Sequence, residues 1–205
     1  MKIFLIRHGE TVENAQHIVQ GQAYGRLSPK GMEQAKKVAS RLAKEHIDAV
    51  ISSPLERADL TAREIARQHG LKIIYDDRIS ERKFGSLEGI TRDEYFDMME
   101  KSGLPKHEFR PSGGESYIDM KERIGSFYRM LLEKYAGKTV VVVAHGSLNR
   151  VFLSVVNHVP LEKAHDVQQE NACVNIIEIA GGKPVVRLVN CTEHLGEEAA
   201  SKGRF

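Results

Sequence analysis

The chain has no tryptophan, only two cysteines, and no surplus of charge of either sign, with 30 Lys and Arg against 28 Asp and Glu for a net charge of +2. Each shortage removes a class of protein. A near-neutral balance supplies no field for holding a nucleic-acid backbone through counterion release, so no nucleic-acid partner is expected. Cys173 and Cys191 are too few for a disulfide framework and lack metal-ligand spacing; they are expected as reduced thiols of the core, neighbours in a hairpin. The most apolar runs, residues 3–6 and 139–144, fall far short of the ~20 residues a membrane span needs. Arg7-His8 cuts the first run too early for a signal peptide, which predicts no membrane partner and a cytoplasmic location. Low-complexity tracts and repeats are also missing. At 205 residues, 41% hydrophobic and 28% charged, the composition is that of one globular domain spanning 1–205, with a frayed tail at about 197–205.

Within that domain, strand and helix signals alternate. Residues 2–6 are apolar without a polar face, as in a strand buried on both sides, and end at Arg7-His8-Gly9-Glu10. Leu27-Ser28-Pro29 opens a helix through Ser28 as N-cap and Pro29 at the first helical position. A buried strand follows at 49–52, and Ser53-Pro54 opens a helix that Gly70 closes. Thr91 with Glu94 forms a capping box for a short helix to about Lys101, and Ser116 caps a long helix to about Tyr135. Between them, residues 103–114 are rich in Pro and Gly and carry Lys106, His107 and Arg110, a lid-like segment. Residues 140–144 form the clearest buried strand and run straight into His145-Gly146-Ser147, with a helix at 148–156; residues 172–179 and 184–190 read as an edge hairpin. The predicted fold is α/β: three layers, with a mostly parallel central sheet flanked by helices.

Two of these strands end in a histidine followed by glycine, one with an arginine before it and the other with a serine after it. If the strands are parallel neighbours, both imidazoles open on one edge of the sheet. Arg57, in the first turn of the helix after the 49–52 strand, can point back to that edge. Two arginines, two histidines and helix N-termini make a site for a dianion. Guanidinium forks fit a tetrahedral phosphate, and a neutral imidazole held in one tautomer is a competent nucleophile toward phosphorus. Phosphoryl transfer through phosphohistidine is the hypothesis that follows. His17, His46, His69, His107, His158, His165 and His194 show no ligand spacing and are expected at surface or capping positions, and Lys106, His107 and Arg110 on a solvated loop.

The run Phe4-Leu5-Ile6-Arg7-His8-Gly9-Glu10-Thr11 resembles the signature of the histidine phosphatase superfamily, which includes the cofactor-dependent phosphoglycerate mutases. Further blocks follow in that family's order over residues 1 to 190: Asn14, Gln20-Gly21, Leu27-Ser28 with Gly31 and Gln34-Ala35, Ser52-Ser53-Pro54-Leu55 with Arg57-Ala58, Glu81 with Phe84-Gly85 and Glu88-Gly89, Gly113-Gly114-Glu115-Ser116, and Ala144-His145-Gly146. The resemblance implies a phosphoglycerate mutase-like fold, His8 as nucleophile, and Arg7, Arg57 and His145 as ligands of the phosphoryl oxygens. It implies Glu81 as proton donor, in preference to Glu88 or Glu10, a role that calls for a carboxyl able to hold a proton near neutrality. Asn14, Gln20, Gly21, Gly146 and the backbone N–H of Ser147 match substrate-contacting positions. No metal and no cofactor are implied, and the substrate is a small phosphorylated metabolite.

The same core serves phosphatases and mutases. A short chain and the Gly-Gly-Glu-Ser block resemble the phosphatase branch, so a metal-independent phosphomonoesterase is expected. The alternatives are a mutase, which would use 2,3-bisphosphoglycerate, and a non-catalytic phosphoryl-binding module, against which the presence of His8, Glu81 and His145 speaks. Many relatives carry an aspartate in the loop that here reads Gln22-Ala23-Tyr24-Gly25-Arg26, so Tyr24 and Arg26 are candidates for shaping the pocket. The sequence leaves the ester's identity open, and oligomeric state too, a homodimer included.

Overall fold

The computed structural model of the chain describes residues 1–23 and 25–196. Tyr24 and the tail at 197–205 lie outside the described residues. Strand β1 (Lys2–Arg7) is followed by a four-residue helix α1 (Val12–Ala15), helix α2 (Pro29–Leu42), strand β2 (Ala49–Ser52), helix α3 (Glu56–His69) and strand β3 (Ile73–Tyr75). Helices α4 (Arg92–Lys101) and α5 (Tyr117–Lys134), strand β4 (Thr139–Ala144), helix α6 (Gly146–Val156) and the hairpin β5 (Val174–Ala180) with β6 (Lys183–Cys191) complete the fold.

The strands form one mixed sheet in the order β3-β2-β4-β1-β5-β6. The four strands from β3 to β1 are mutually parallel, and β5 and β6 add antiparallel pairings at one edge. Because successive side chains point to opposite faces, the apolar runs feed two cores at once. Ile3, Leu5, Val140 and Val142 pack beneath α5 and α6 with Ile124, Phe127, Leu131 and Phe152. Phe4, Ile6, Val141 and Val143 pack beneath α2 and α3 with Val38, Leu42, Ala62 and Ile65. Helices on both faces account for the lack of alternation in β1 and β4. A satellite cluster of Val19, Phe84, Tyr95, Met99 and Phe109 lies apart from both.

Capping follows the sequence reading with two departures. Ser28, Thr91 and Ser116 cap α2, α4 and α5, the last two as reciprocal boxes with Glu94 and Asp119. Helix α1 was not foreseen; Thr11 and Asn14 close a capping box around it. The helix after Pro54 starts later than expected, at Glu56, with Leu55 at its N-cap and no side-chain cap; the Ser53 hydroxyl accepts from Leu55 N–H at 3.3 Å and meets His145 Nε2 at 2.8 Å. Cys173 and Cys191 are buried free thiols, with Cys191 opposite Val174 in the hairpin. In the 103–114 segment Lys106 and Arg110 are exposed, as expected of a solvated loop, but His107 and Phe109 are buried, and the Phe109 carbonyl accepts from Arg82 Nη2.

Candidate active site

In the β1/β4 register Arg7 lies opposite Ala144, so each strand releases its histidine at the same level. The His8 and His145 rings face each other with centroids 5.2 Å apart, and the His8 N–H donates to the Ala144 carbonyl at 3.0 Å. His8 is only 2% exposed, and its Nδ1 lies 2.7 Å from the carbonyl of Gly9. A carbonyl can only accept, so Nδ1 carries the proton and Nε2 keeps its lone pair. Burial, followed by the charges of Arg57 and Arg7, holds His8 well below the usual imidazole value, which keeps the ring neutral at pH 7. His145 is lowered in the same way, by burial and then by Arg57, His8 and Arg7. Its Nε2 meets Ser53 Oγ, while its Nδ1 has no hydrogen-bond partner among the described residues.

The loop that carries His8 runs against α2 at a place that admits no side chain. A Cβ on Gly9 would stand 2.4 Å from the Gly31 carbonyl oxygen, and one on Gly31 would stand 1.9 Å from that of Glu10. This close approach explains both glycines.

Arg7 donates through Nη1 to the Gln169 carbonyl. Burial and then the charge of Arg150 push it down to about 10, so it remains a cation at neutral pH. Arg57, 2% exposed in the first turn of α3, donates through Nη2 to the Gly21 carbonyl at 2.6 Å. Gly21 sits at φ +57° with a Cβ position only 2.1 Å from Glu88 Oε1, so no other residue would present that carbonyl as well.

Arg7, His8, Asn14, Gln20, Gly21, Arg57, Glu81, Gly146 and Ser147 line one cleft of about 310 Å³, at the low end for ligand sites. Of the ten catalytic and substrate-contacting residues that the resemblance implies, His145 alone is not on its lining; it is fully buried, its ring 5.2 Å from that of His8. Asn14 Oδ1 accepts from Thr11 N–H and from Asn171 Nδ2, which leaves its own amide N–H group for the cleft. Glu81 reaches the N-terminus of α6, where Ser147 N–H and Leu148 N–H donate to its two oxygens at 3.2 Å each. The Ser147 N–H expected on a phosphate therefore faces Glu81 here. Glu88 and Glu10 are spent elsewhere: Glu88 accepts from Gln22 and Phe84 N–H, and Glu10 binds Ser28 and Lys30.

Lys106, His107 and Arg110 do not line the cleft; Arg26, a candidate for shaping the pocket, borders a separate depression with Glu13 and Gln22. His165, expected at the surface, stacks on Tyr117 at 4.1 Å and forms part of the cleft wall. The sequence also gave no sign of Arg82, Arg92, Arg150, Gln169 and Glu170, all on the same lining. They come from α4, α6 and the loops at 80–84 and 157–173, and only packing brings them together. Arg150 follows Gly146 by four residues in α6, a spacing that returns it to the same side of the helix, which is the one local signal available. Among the described residues no group of three His, Cys, Asp or Glu could hold a metal ion, and no helix is long and apolar enough to cross a membrane.

Comparison with known proteins agrees with this geometry. Phosphoserine phosphatase 1 of Hydrogenobacter thermophilus is 33% identical over 201 residues, covering 96% of this chain and 95% of its own. The crystal structure of phosphoserine phosphatase from Entamoeba histolytica in complex with 3-phosphoglyceric acid superposes with a TM-score of 0.85 at 30% identity, over 95% of this chain and 98% of that one. Mycobacterial glucosyl-3-phosphoglycerate phosphatase in complex with VO3 gives 0.85 at 25% identity, over 93% and 99%. The model of the histidine phosphatase superfamily (branch 1) matches residues 3–192, and with His8 and His145 set at the ends of adjacent strands this chain belongs to that family.

Proposed function

We propose that the chain is a metal-independent phosphatase that hydrolyses a small phosphomonoester by way of a phosphohistidine on His8. The observation that carries this is the Nδ1–H to Gly9 carbonyl contact, which aims an unprotonated Nε2 into a cleft walled by Arg7 and Arg57. Nε2 attacks phosphorus, the ester P–O bond breaks, and Glu81 gives its proton to the leaving alkoxide. Water then gives a proton to the Glu81 carboxylate and attacks the phosphorus, the N–P bond breaks, and inorganic phosphate leaves. Arg7, Arg57 and the Nδ1 side of His145 hold the phosphoryl oxygens, with Asn14 and Gln20 at the rim. When the phosphate takes the Ser147 N–H, one Glu81 oxygen is released toward the leaving group. The two guanidiniums neutralise the charge that a divalent ion carries in other phosphoryl-transfer enzymes, and no cofactor enters the cycle.

The hydrolase class is that of the relatives named above, and a small phosphorylated metabolite fits the cleft volume. The test is phosphate release in excess EDTA by the wild type, His8→Ala and Glu81→Gln, with alkaline quench to look for phosphoenzyme. We expect chelator-resistant turnover, background activity in His8→Ala, and kcat lowered about 10²–10⁴-fold in Glu81→Gln. The wild-type phosphoenzyme should be labile in acid and stable in alkali, as a phosphoramidate is. Turnover that survives in His8→Ala would sink the reading. Adding 3-phosphoglycerate with 2,3-bisphosphoglycerate tests for mutase turnover in the same assay.

A further inference from the structure

Arg7 ends β1, but its guanidinium is held from elsewhere. Nη1 donates to the Gln169 carbonyl, which lies in a stretch, residues 167–173, that forms neither helix nor strand. No ladder aims a carbonyl in such a stretch, so its direction depends on what holds Gln169. A buried cluster of primary amides does so. Gln169 and Asn175, 3% and 0% exposed, exchange two hydrogen bonds: Asn175 Nδ2 donates to Gln169 Oε1 at 3.0 Å, and Gln169 Nε2 donates to Asn175 Oδ1 at 2.9 Å. Asn149 Nδ2, near the start of α6, donates to the same Gln169 oxygen at 3.1 Å, and the Cys173 thiol at 3.4 Å. Gln169 Nε2 also donates to the Gln168 carbonyl at 2.8 Å, which ties the side chain to the backbone of its own loop.

The strands impose one orientation on this cluster. Asn175 lies on β5 opposite Leu5, which precedes Arg7 by two residues and so shares its face of the sheet. Asn175 Nδ2 donates to the Leu5 carbonyl at 2.9 Å, and its Oδ1 accepts from Asn190 N–H at 2.9 Å. A carbonyl only accepts and an N–H only donates, so the Asn175 amide cannot turn over, and its pairing fixes the Gln169 amide in turn. All four hydrogen-bonding positions of Asn175 are thereby filled. Neither Asn175 nor Asn149 lines the cleft. Apolar side chains would pack beside Leu5 and Ile177 without the desolvation cost of so many polar atoms, so the cluster serves a geometry, and that geometry ends at Arg7. We infer that Asn175 is a positioning residue for phosphoryl transfer: through the Gln169 amide it aims the Gln169 carbonyl, and that carbonyl holds the rigid fork of Arg7 at the angle at which it meets the phosphoryl oxygens. The inference rests on the phosphatase reading above and deepens it by one layer.

A double-mutant cycle between Asn175→Leu and Arg7→Gln tests it, with p-nitrophenyl phosphate as substrate in excess EDTA. With Arg7 present, Asn175→Leu should lower kcat by about 10- to 100-fold, the weight of a small misplacement of a charged group, while KM moves far less. In the Arg7→Gln background it should change kcat by under roughly twofold, because the group it acts through is gone. A second measurement needs no substrate. In proton–nitrogen NMR spectra of the arginine side chains, the two Nη resonances of Arg7, assigned by their loss in Arg7→Gln, should be separate in the wild type, where the carbonyl restrains the guanidinium, and should merge in Asn175→Leu. Asn175→Ser, smaller and still polar, takes both measurements if the leucine variant does not fold, and the spectra decide if Arg7→Gln turns over too slowly to follow. Equal loss of kcat in both backgrounds would overturn the inference and make Asn175 a packing residue. An unchanged kcat would overturn it too, as would Nη resonances that stay separate in the variants. If the wild type hydrolyses neither p-nitrophenyl phosphate nor phosphoserine, the phosphatase reading itself fails, and the spectra still show whether the amide cluster holds Arg7.

Discussion

Histidine ionisation is where this site is most open to measurement. His8, His145, His165 and His194 all have folded-state values below the ordinary 6.5, the last two at about 4, and burial is the leading cause in each. As pH falls the unfolded chain takes up protons first, so the stability tied to these neutral rings is complete above 6.5 and drains away below it, down to about 4 for His165 and His194. Thermal midpoints should therefore fall as pH drops from about 6.5 toward 4, with little response from these groups at higher pH. By NMR the ring protons of His8 and His145 should show no titration between about pH 6 and 8; a transition near the usual imidazole value would contradict the tautomer argument. Arg82 makes a further point at this scale. It is 1% exposed with no carboxylate partner among the described residues, and its guanidinium is satisfied by Tyr95 Oη and the carbonyls of Phe109 and Glu115 among the rings of Phe84, Tyr95 and Tyr117. It ties the residue next to Glu81 to the 107–115 segment, so that segment acts on the cleft through Arg82 without lining it.

At the level of elements, the chemistry depends on where strands end and how closely loops pass them. The His8 loop crosses α2 at Gly9 and Gly31 with no room for a Cβ. Gly9→Ala should push the loop off α2 at a cost of about 1–3 kcal/mol and lower kcat/KM by moving His8, which denaturant unfolding and steady-state kinetics would check together. An alanine variant as stable and active as the parent would show that the loop relaxes freely. These elements were legible to different degrees. Capping at Ser28, Thr91 and Ser116 is local chemistry and could be read directly, because donor and acceptor are three residues apart. The four-residue α1 has no apolar stripe to announce it, and the contact of Ser53 with His145 could not be read locally because the two are 92 residues apart.

For the molecule as a whole, the sheet divides the interior into two cores, and the active edge is stable only if both hold. Phe152, fully buried on α6 between Phe127 and Tyr128, lies in the core beneath the helix that begins at His145-Gly146. Phe152→Ala should cost about 3–5 kcal/mol in chemical denaturation. A loss under about 1 kcal/mol would mean that α6 repacks and is not a fixed support for the cradle.

The order of elements, the two-faced burial of β1 and β4 and the paired His-Gly corners were all determined by the sequence itself, because each depends on residues that are neighbours along the chain. Resemblance to a family added Glu81, a residue whose own surroundings in the chain read only as polar. What tertiary structure alone decided is the far wall of the cleft. Arg82, Arg92, Arg150, Gln169 and Glu170 come from separate segments, and each by itself would pass for an ordinary polar position. Their meeting depends on how α4, α6 and the 157–173 loop pack around the strand ends, a long-range arrangement set by summed burial that no short spacing encodes.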